Sequence, residues 1–573
     1  MIPQTIRIAI AQVNPTVGDL EQNFQKIVTN IDLARQNGAQ IVVFPEMVLT
    51  GYPPEDLLLK PDFVEAVEAY TTKLANASDG IVAIVGTVHK QEQLYNAGLV
   101  LQNGSVKAYY HKERLPNYSV FDESRYFHTG HQQLVFGTDP LIFGVSICED
   151  IWVPKGPPDY QAREGGANLL INISASPYYQ QKGAVREQLL SQRARDNRAY
   201  VVYCNMVGGQ DELVFDGQSL VFSPDGNLLM RGKLFEEQLI VVELDYSHCL
   251  ADNSPTTVKQ PRSDQSTIQL VELEPLNQGL YSTAPTLITA TTDPVVEIYK
   301  ALVLGVGDYI RKCSFKTCAL GLSGGVDSSL VATIAADAIG AENVTGIGMP
   351  SRFSSSHSLE DAELLARNLN IPFKIIPIEP MFQAFLATLA PLFGDLPTDI
   401  TEENIQSRIR GVLLMAFSNK FGALILTTGN KSEVGVGYST LYGDSAGGFA
   451  AIKDVPKTVV YELCRYRNKI AGYDVIPERV LTKPPSAELR ENQKDSDSLP
   501  DYGILDPIIE LYVEKSCAPA EIINQGFSAD TVKRVIRLID SSEYKRRQSP
   551  PGIKITERAF GKDWRVPITN KYH

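Results

Sequence analysis

No two of the seven cysteines form a CxxC pair, and Cys313 and Cys318 stand too isolated to read as a zinc site. An odd, thinly spread set of thiols argues against a disulfide framework and for a reducing, cytoplasmic setting. Positive charge is also short. Lys and Arg number 53 against 67 Asp and Glu, a formal net charge of −14. That balance argues against a general nucleic-acid or membrane-surface binder, so an anionic substrate must be gripped by local groups. No apolar run is long enough to cross a bilayer. The opening MIPQTIRIAIAQV lacks the basic region, long apolar region and cleavage site of a signal peptide. Two nucleotide signatures are missing as well, the GxxxxGK[ST] of P-loops and the GxGxxG of dinucleotide folds.

What is present is a long chain with an ordinary apolar fraction. Its 573 residues exceed what one core organises, so two or more domains are expected. Residues 1–245 alternate strand-like stretches such as IRIAIAQV, LIFGVSIC and NLLINIS with amphipathic stretches such as DLEQNFQKIVTNIDLARQNG. The faces of that sheet need cover from helices or from a second sheet. The stretch 251–290 is polar, contains Pro and has no sustained periodicity, so it reads as a connector. A second α/β pattern fills 291–573 and predicts a doubly wound parallel sheet. Its tail, 541–573, is basic and broken by Pro.

The stretch GLSGGVDSS, 321–329, joins the apolar strand CALGL to a helix that ends at Gly340. A strand-to-helix junction with almost no side chains exposes backbone N–H groups to an anion, aided by the helix dipole. Ligands of open α/β sheets sit at the strand carboxyl ends, where this loop lies. Without the P-loop lysine there is no clamp for a γ-phosphate, which suits chemistry that releases pyrophosphate. Asp327 would then place Mg²⁺ on the phosphates. A capped Gly/Ser-rich turn is the plain alternative.

The loop resembles the SGGxDS loop of the ATP pyrophosphatase family, which activates a carboxylate by AMP transfer for attack by a nitrogen or sulfur nucleophile. Three further segments, TEENIQSRIRGVLLMAFSN, LTTGNKSEVGVGYSTLYGDSAGGFAAIKDVPKT and EYKRRQSPPG, resemble the NAD synthetases of that family. By this resemblance Leu322, Ser323, Gly324, Gly325, Val326, Asp327, Ser328, Ser329 and Thr428 lie at ATP. Asn404, Glu433 and Lys545 lie at deamido-NAD, with Asp327 and Glu433 the candidate Mg²⁺ ligands. Arg410, Asp444 and Lys453 are weaker substrate candidates. Plainer roles stand beside these: Glu433 as a first-turn helix charge, Asp444 as a turn residue, the tail as solvated surface. The Pro550-Pro551-Gly552 run suggests instead an ordered turn or lid.

In the first half, VVFPEMVLTGYPPED sets Glu46 just after a strand, YYHKERLPNYSVFDESRYF sets Lys112 after another, and FGVSICEDIW sets Cys148 at the end of a third. Loops at strand ends can converge on one site. A thiol attacks only as thiolate, so an ammonium that lowers its pKa and a carboxylate that takes its proton complete a kit for amide hydrolysis through a thioester. These stretches resemble the nitrilase/amidase family, which implies an αββα sandwich and a Glu–Lys–Cys triad. Glu46 is then the general base, Lys112 stabilises the tetrahedral intermediate and Cys148 is the nucleophile. The same resemblance places Tyr118, Ser176 and Lys182 at glutamine and makes Glu123 a possible second acid. Cys204 lacks such company and reads as core.

Together the two resemblances divide the chain into a nitrilase-like glutaminase domain, 1–250, the connector 251–290 and a synthetase domain, 291–573. The expected reaction amidates deamido-NAD with ATP and glutamine-derived ammonia, giving NAD, AMP, pyrophosphate and glutamate. Mg²⁺ is the expected cofactor, with no prosthetic group, and a homo-oligomer is implied. Ammonia would pass through an internal passage, and the Gly-rich stretch 434–454 would move to couple the two reactions. Guanylate- and asparagine-synthetase readings fare worse, because their glutaminases use Cys-His or N-terminal Cys, whereas here His is scarce and residue 2 is Ile. A tRNA-modifying enzyme would want a basic surface, and a sensor with a dead nitrilase half would not keep all three triad residues.

Overall fold

A computed structural model describes residues 5–138, 141–246, 268–276 and 288–572. The chain divides into two compact units, residues 1–210 with 214–291 and residues 211–213 with 292–573.

In the first unit, alternation along each strand builds two cores at once. Ile6, Ile8 and Ile10 of the strand Thr5–Gln12 join Phe143, Val145 and Ile147 of Leu141–Ile147 in one buried cluster. That cluster fills the space between two sheets. On the outer side of the second sheet, Leu170 and Val201 pack with Leu190 and Ala194 of the helix Lys182–Asn197. The first sheet has six strands, in the order Gln238–Asp245, Thr5–Gln12, Ile41–Val43, Val82–Lys90, Leu94–Gln102, Ser105–His111. The second has seven and runs from Leu228–Arg231 through Leu169–Ser174 and Leu141–Ile147 to Gln269–Glu272. The helices Leu20–Gln36 and Pro61–Ala75 cover the first sheet, and Pro157–Arg163 and Lys182–Asn197 cover the second. The layers are therefore α, β, β, α, as the nitrilase resemblance implies.

The second unit carries five parallel strands in the order Phe373–Ile375, Val344–Gly348, Cys318–Gly321, Leu424–Thr427, Phe449–Ala450. Chain order reverses between Cys318–Gly321 and Leu424–Thr427, so the loops after these two strands flank the switch-point crevice. Helices Pro294–Lys312, Val326–Ile339 and Lys457–Ala471 pack together. Ala319, Ile347 and Ile425 of the sheet pack with residues of Glu379–Phe393 and Ile400–Phe421. A further cluster joins Val436 to Leu505, Ile509, Val532 and Ile536 of the C-terminal helices and to Phe560 of the tail beyond them.

Several elements depart from the sequence reading. The connector 251–290 contributes a strand, Gln269–Glu272, paired in parallel with Leu134–Thr138 at the edge of the second sheet. Its four residues are too short to register as periodic. The remaining connector residues 251–267 and 277–287 lie outside the described residues. The basic tail is not solvated surface. Arg546 and Lys554 are buried, Lys554 pairs with Asp563, and Ala450 N–H donates to Pro551 O at 2.8 Å. The run at 550–552 is thus an ordered turn, held by a backbone bridge from Ala450 to Gly552.

Candidate active sites

Three strand ends from the two sheets of the first unit meet at one lysine. Pro45 stops the ladder of Ile41–Val43, and the chain turns at once to Glu46. Gly86 on the neighbouring strand makes room, because a Cβ there would stand 2.6 Å from the Cα of Glu46 and 2.2 Å from Pro45 O. Lys112 follows Ser105–His111. Cys148 follows Leu141–Ile147 with φ of 44°, a left-handed value costly for a residue with a side chain. Asp150 holds that bend. Its carboxylate accepts from Ile147 N at 3.0 Å, Tyr110 OH at 2.8 Å and Arg114 N at 2.8 Å.

Lys112 Nζ lies 2.8 Å from Glu46 Oε1 and 2.8 Å from Glu123 Oε1, with all three residues buried. Lys112 is no surface charge. Asn96 Nδ2 also donates to Glu46 Oε1, at 2.7 Å, and Ala175 N donates to Oε2 at 2.9 Å. Burial alone would neutralise the ammonium, but Glu123 and Glu46 outweigh it and hold Lys112 charged, well above the usual lysine range. Burial pushes the Glu123 carboxyl up to about 7 against the pull of Lys112. Burial, and then Glu46, also push the Cys148 thiol well up, and Lys112 only partly offsets them. This corrects the expectation that the ammonium would depress the thiol pKa. In the resting protein burial and Glu46 outweigh Lys112, and the thiol keeps its proton until a reaction moves it.

Tyr118 is exposed, and its hydroxyl donates to Glu149 Oε2 at 2.9 Å. Ser176 is buried, its N–H donating to Asn205 Oδ1 at 3.0 Å. Asn205 in turn donates to Asp216, the bidentate partner of the buried Arg186. Lys182 opens the helix Lys182–Asn197 and donates to Pro177 O at 2.7 Å; burial raises the Glu149 carboxyl, opposed by the Tyr118 hydrogen bond, Lys112 and Lys182. Glu149, Asp150 and Asn96 were not singled out from the sequence, although the first two sit inside the quoted FGVSICEDIW. Cys204 is core, as read.

In the second unit the loop after Cys318–Gly321 opens the helix Val326–Ile339 with Gly325 at the N-cap and no side-chain cap. An uncapped first turn of this kind is the arrangement that suits an anion. Gly324 has φ of 74°, and a Cβ there would lie 2.1 Å from Ser358 O. Ser323 Oγ accepts from Gly325 N at 3.2 Å and lies 3.2 Å from Ser328 Oγ. Leu322, Val326, Ser328 and Ser329 are buried. Thr428 is half-buried at the end of Leu424–Thr427, the strand across the switch point.

Asp327 faces Asn430, which donates at 2.9 Å, and Lys457, which also bonds Glu433 Oε1 at 3.0 Å. Burial raises Glu433 to about 7 against Lys457. Burial likewise opposes the charge of Lys457, but Asp327 and Glu433 prevail and raise its pKa. Asp495 adds a third carboxylate that acts on Glu433, and it accepts from Tyr502 OH at 2.9 Å. Lys457 and Asn430 lie within the quoted 426–458 run but were passed over. Glu433 is in the first turn of Lys431–Val436, so its plain reading holds alongside its place in this cluster.

Asn404 accepts from Thr440 Oγ1 at 2.8 Å, and Asp444 accepts from Thr440 N at 2.7 Å, a turn role. Lys545 Nζ donates to Gly437 O and Ser439 O, each at 2.7 Å. These bonds tether the stretch 437–445. Arg410 donates to Met349 O at 3.0 Å, and buried Lys453 donates to Pro550 O at 2.7 Å. The fit to a divalent cation rests on Asp327 and Glu433, two hard oxygen donors now bridged by one ammonium. Two carboxylates with substrate phosphates match what Mg²⁺ takes. Among the described residues no group of three His, Cys, Asp or Glu has metal-holding geometry, so the phosphates would complete the coordination.

Two family models match the chain, Carbon-nitrogen hydrolase over residues 7–251 and NAD synthase over 298–549. A Glutamine-dependent NAD(+) synthetase of Thermotoga maritima is 46% identical over 573 residues, 99% of each chain. That of Acinetobacter baylyi is 44% identical over 569 residues, again 99% of each. Among solved structures, the glutamine-dependent NAD+ synthetase of Acinetobacter baumannii in complex with ADP matches with a TM-score of 0.75 at 40% identity, over 99% of both chains. One from Cytophaga hutchinsonii gives 0.82 at 23% identity over 99% and 98%, a likeness of fold.

Proposed function

The chain belongs to the glutamine-dependent NAD(+) synthetases, and from that premise we propose how its residues divide the work. The enzyme is a ligase that makes NAD from deamido-NAD with ATP, drawing ammonia from glutamine.

Cys148 Sγ attacks the glutamine carboxamide. Glu46 takes the thiol proton on Oε2, the oxygen that accepts from Ala175 N–H, while Oε1 accepts from Lys112 and Asn96. Lys112 stabilises the charge that forms on the carbonyl oxygen. The C–N bond breaks, the proton returns to the leaving nitrogen, and ammonia departs. Water then cleaves the thioester to give glutamate and the thiol. The observation that carries this reading is the charged Lys112 bridging two buried carboxylates beside the strand-end thiol. Tyr118, Ser176 and Lys182 hold glutamine, with Glu149 suited to its α-ammonium.

The open helix N-terminus after Ser323–Gly325 takes the ATP phosphates, with Thr428 across the switch point. Bound Mg²⁺ would be held by Asp327 and Glu433 and would neutralise phosphate charge. Lys457, freed from those carboxylates, reaches the same phosphates. Asn404 and Lys545 hold deamido-NAD. Its carboxylate displaces pyrophosphate from ATP, and ammonia displaces AMP from the acyl-adenylate, forming the amide. The ammonia does not mix with solvent on the way.

We place this chemistry in the cytoplasm, where a catalytic thiol stays reduced. No helix among the described residues is long and apolar enough to cross a membrane. Exposed Leu392, Leu396, Ile400 and Val412 support a homo-oligomer. Partners are the small-molecule substrates, with no nucleic acid.

Cys148→Ala tests the division. Glutamine-driven synthesis should vanish while ammonium-driven synthesis persists. Loss of both would mean the roles of the two units are wrongly assigned.

A further inference from the structure

Asn96 belongs to the strand Leu94–Gln102 and is 1% exposed, yet its side chain is only half satisfied. Nδ2 donates to Glu46 Oε1 at 2.7 Å, and its backbone carbonyl accepts from Lys112 N at 2.9 Å. One residue thus touches both the base and the lysine. The orientation of its amide is not open to exchange. A carboxylate without a proton only accepts, so the NH₂ must face Glu46 and the carbonyl must face elsewhere. Among the described residues, that Oδ1 has no hydrogen-bond partner. A buried acceptor left unmatched is costly and calls for an explanation.

The chemistry supplies one, given the glutaminase reading above, on which this inference rests. The carboxyl that carries the thiol proton must hand it to the departing nitrogen, so that nitrogen stands within hydrogen-bond reach of Glu46. It is then also near the amide that grips Glu46. A primary carboxamide brings two N–H groups; Glu46 can accept one of them, but the charged Lys112 only donates, so the second N–H needs another acceptor.

We propose that Asn96 is a specificity-determining residue of the glutaminase site, with its N–H fixing Glu46 and its Oδ1 accepting an N–H of the substrate carboxamide. The second contact exists only for amides. A γ-glutamyl ester, with oxygen in place of the NH₂, cannot make it. A site built to match a polar hydrogen rejects the analogue that lacks it.

The test compares glutamine with L-glutamate γ-methyl ester as substrates for the full-length enzyme. Asn96→Ala should lower kcat/KM for both, but by about tenfold more for glutamine, so the amide-to-ester ratio collapses. Asn96→Asp keeps an acceptor oxygen and loses the donor. It should slow both substrates while leaving the ratio near that of the wild type. The urea unfolding profile of the full-length variant, which includes the first unit, reports folding. If Asn96→Ala does not fold, the near-isosteric Asn96→Asp decides alone, and a collapsed ratio there overturns the proposal. An unchanged ratio in a folded Asn96→Ala overturns it as well. Failure of the glutaminase reading itself shows separately, as glutamine-driven synthesis that survives Cys148→Ala.

Discussion

At the residue scale the chemistry is decided by which charges burial permits. Lys112 stays charged only because Glu46 and Glu123 outweigh its desolvation. Burial first, and then Glu46, push the Cys148 thiol up and keep it protonated at rest. Glu123 gives this a pH signature. Burial, opposed by Lys112, raises its carboxyl from 4.5 to about 7. An acid with a raised folded pKa keeps its proton when folded and releases it when unfolded. Its contribution to stability is therefore intact below the unfolded value and is lost as pH rises through about 7. Glu123→Gln cannot titrate. The wild type should lose stability relative to Glu123→Gln between about pH 5 and about pH 7.5, read from urea midpoints. A constant offset across that window would count against the raised carboxyl.

At the scale of elements, a short helix and a longer one are positioned by one carboxylate. Asp506 accepts from Ser432 Oγ on one oxygen and from Thr458 N at 2.9 Å and Thr458 Oγ1 at 2.8 Å on the other. Ser432 Oγ also accepts from Lys457 N at 2.9 Å. The bonds lock Lys431–Val436, which carries Glu433, to Lys457–Ala471, which carries Lys457. Asp506→Asn should weaken ammonium-driven synthesis by roughly tenfold or more, the loss expected when a buried charge-assisted network is broken. Glutaminase activity should be spared. The phosphate loop makes a second case. Gly324→Ala meets both a positive φ and Ser358 O at 2.1 Å. Synthesis with either nitrogen donor should fall by about a hundredfold, measured as kcat/KM for ATP.

These elements also show where the sequence was readable. The strands before Glu46 and Cys148 announce themselves by β-branched residues, Ile41, Val42 and Val43 in one and Ile142, Val145 and Ile147 in the other. The hairpin Leu94–Gln102 and Ser105–His111 was passed over, although Asn103-Gly104 between the strands is a strong turn signal. That hairpin carries Asn96 and delivers Lys112. The C-terminal helices Tyr502–Ile509 and Ala529–Ser541 were likewise unread. Asp495, Tyr502 and Asp506 therefore could not be assigned to the site. Their signal is the same apolar spacing that revealed the earlier helices.

On the scale of the whole molecule, each compact unit has its own core, so damage to one site should leave the other reaction standing. Ammonia made by one unit must still reach the other. With glutamine as donor and ¹⁵N-ammonium in the medium, the NAD amide should carry little label. Free entry of label, read by mass spectrometry, would refute a protected transfer.

Much about this protein follows from its residues in order. Period-two alternation predicts strands, the bare SGG junction offers backbone N–H groups to an anion, and Glu46, Lys112 and Cys148 stand at three strand ends as candidates for base, cation and nucleophile. Local geometry and side-chain chemistry suffice for those. Only tertiary structure decided that Lys112 sits between two carboxylates, that Cys148 rests protonated, that Lys457 rather than Lys453 faces Asp327, and that Asn96 keeps a buried carbonyl unmatched. Charge state and hydrogen-bond satisfaction depend on distance and burial, and both are set by residues far apart in the chain.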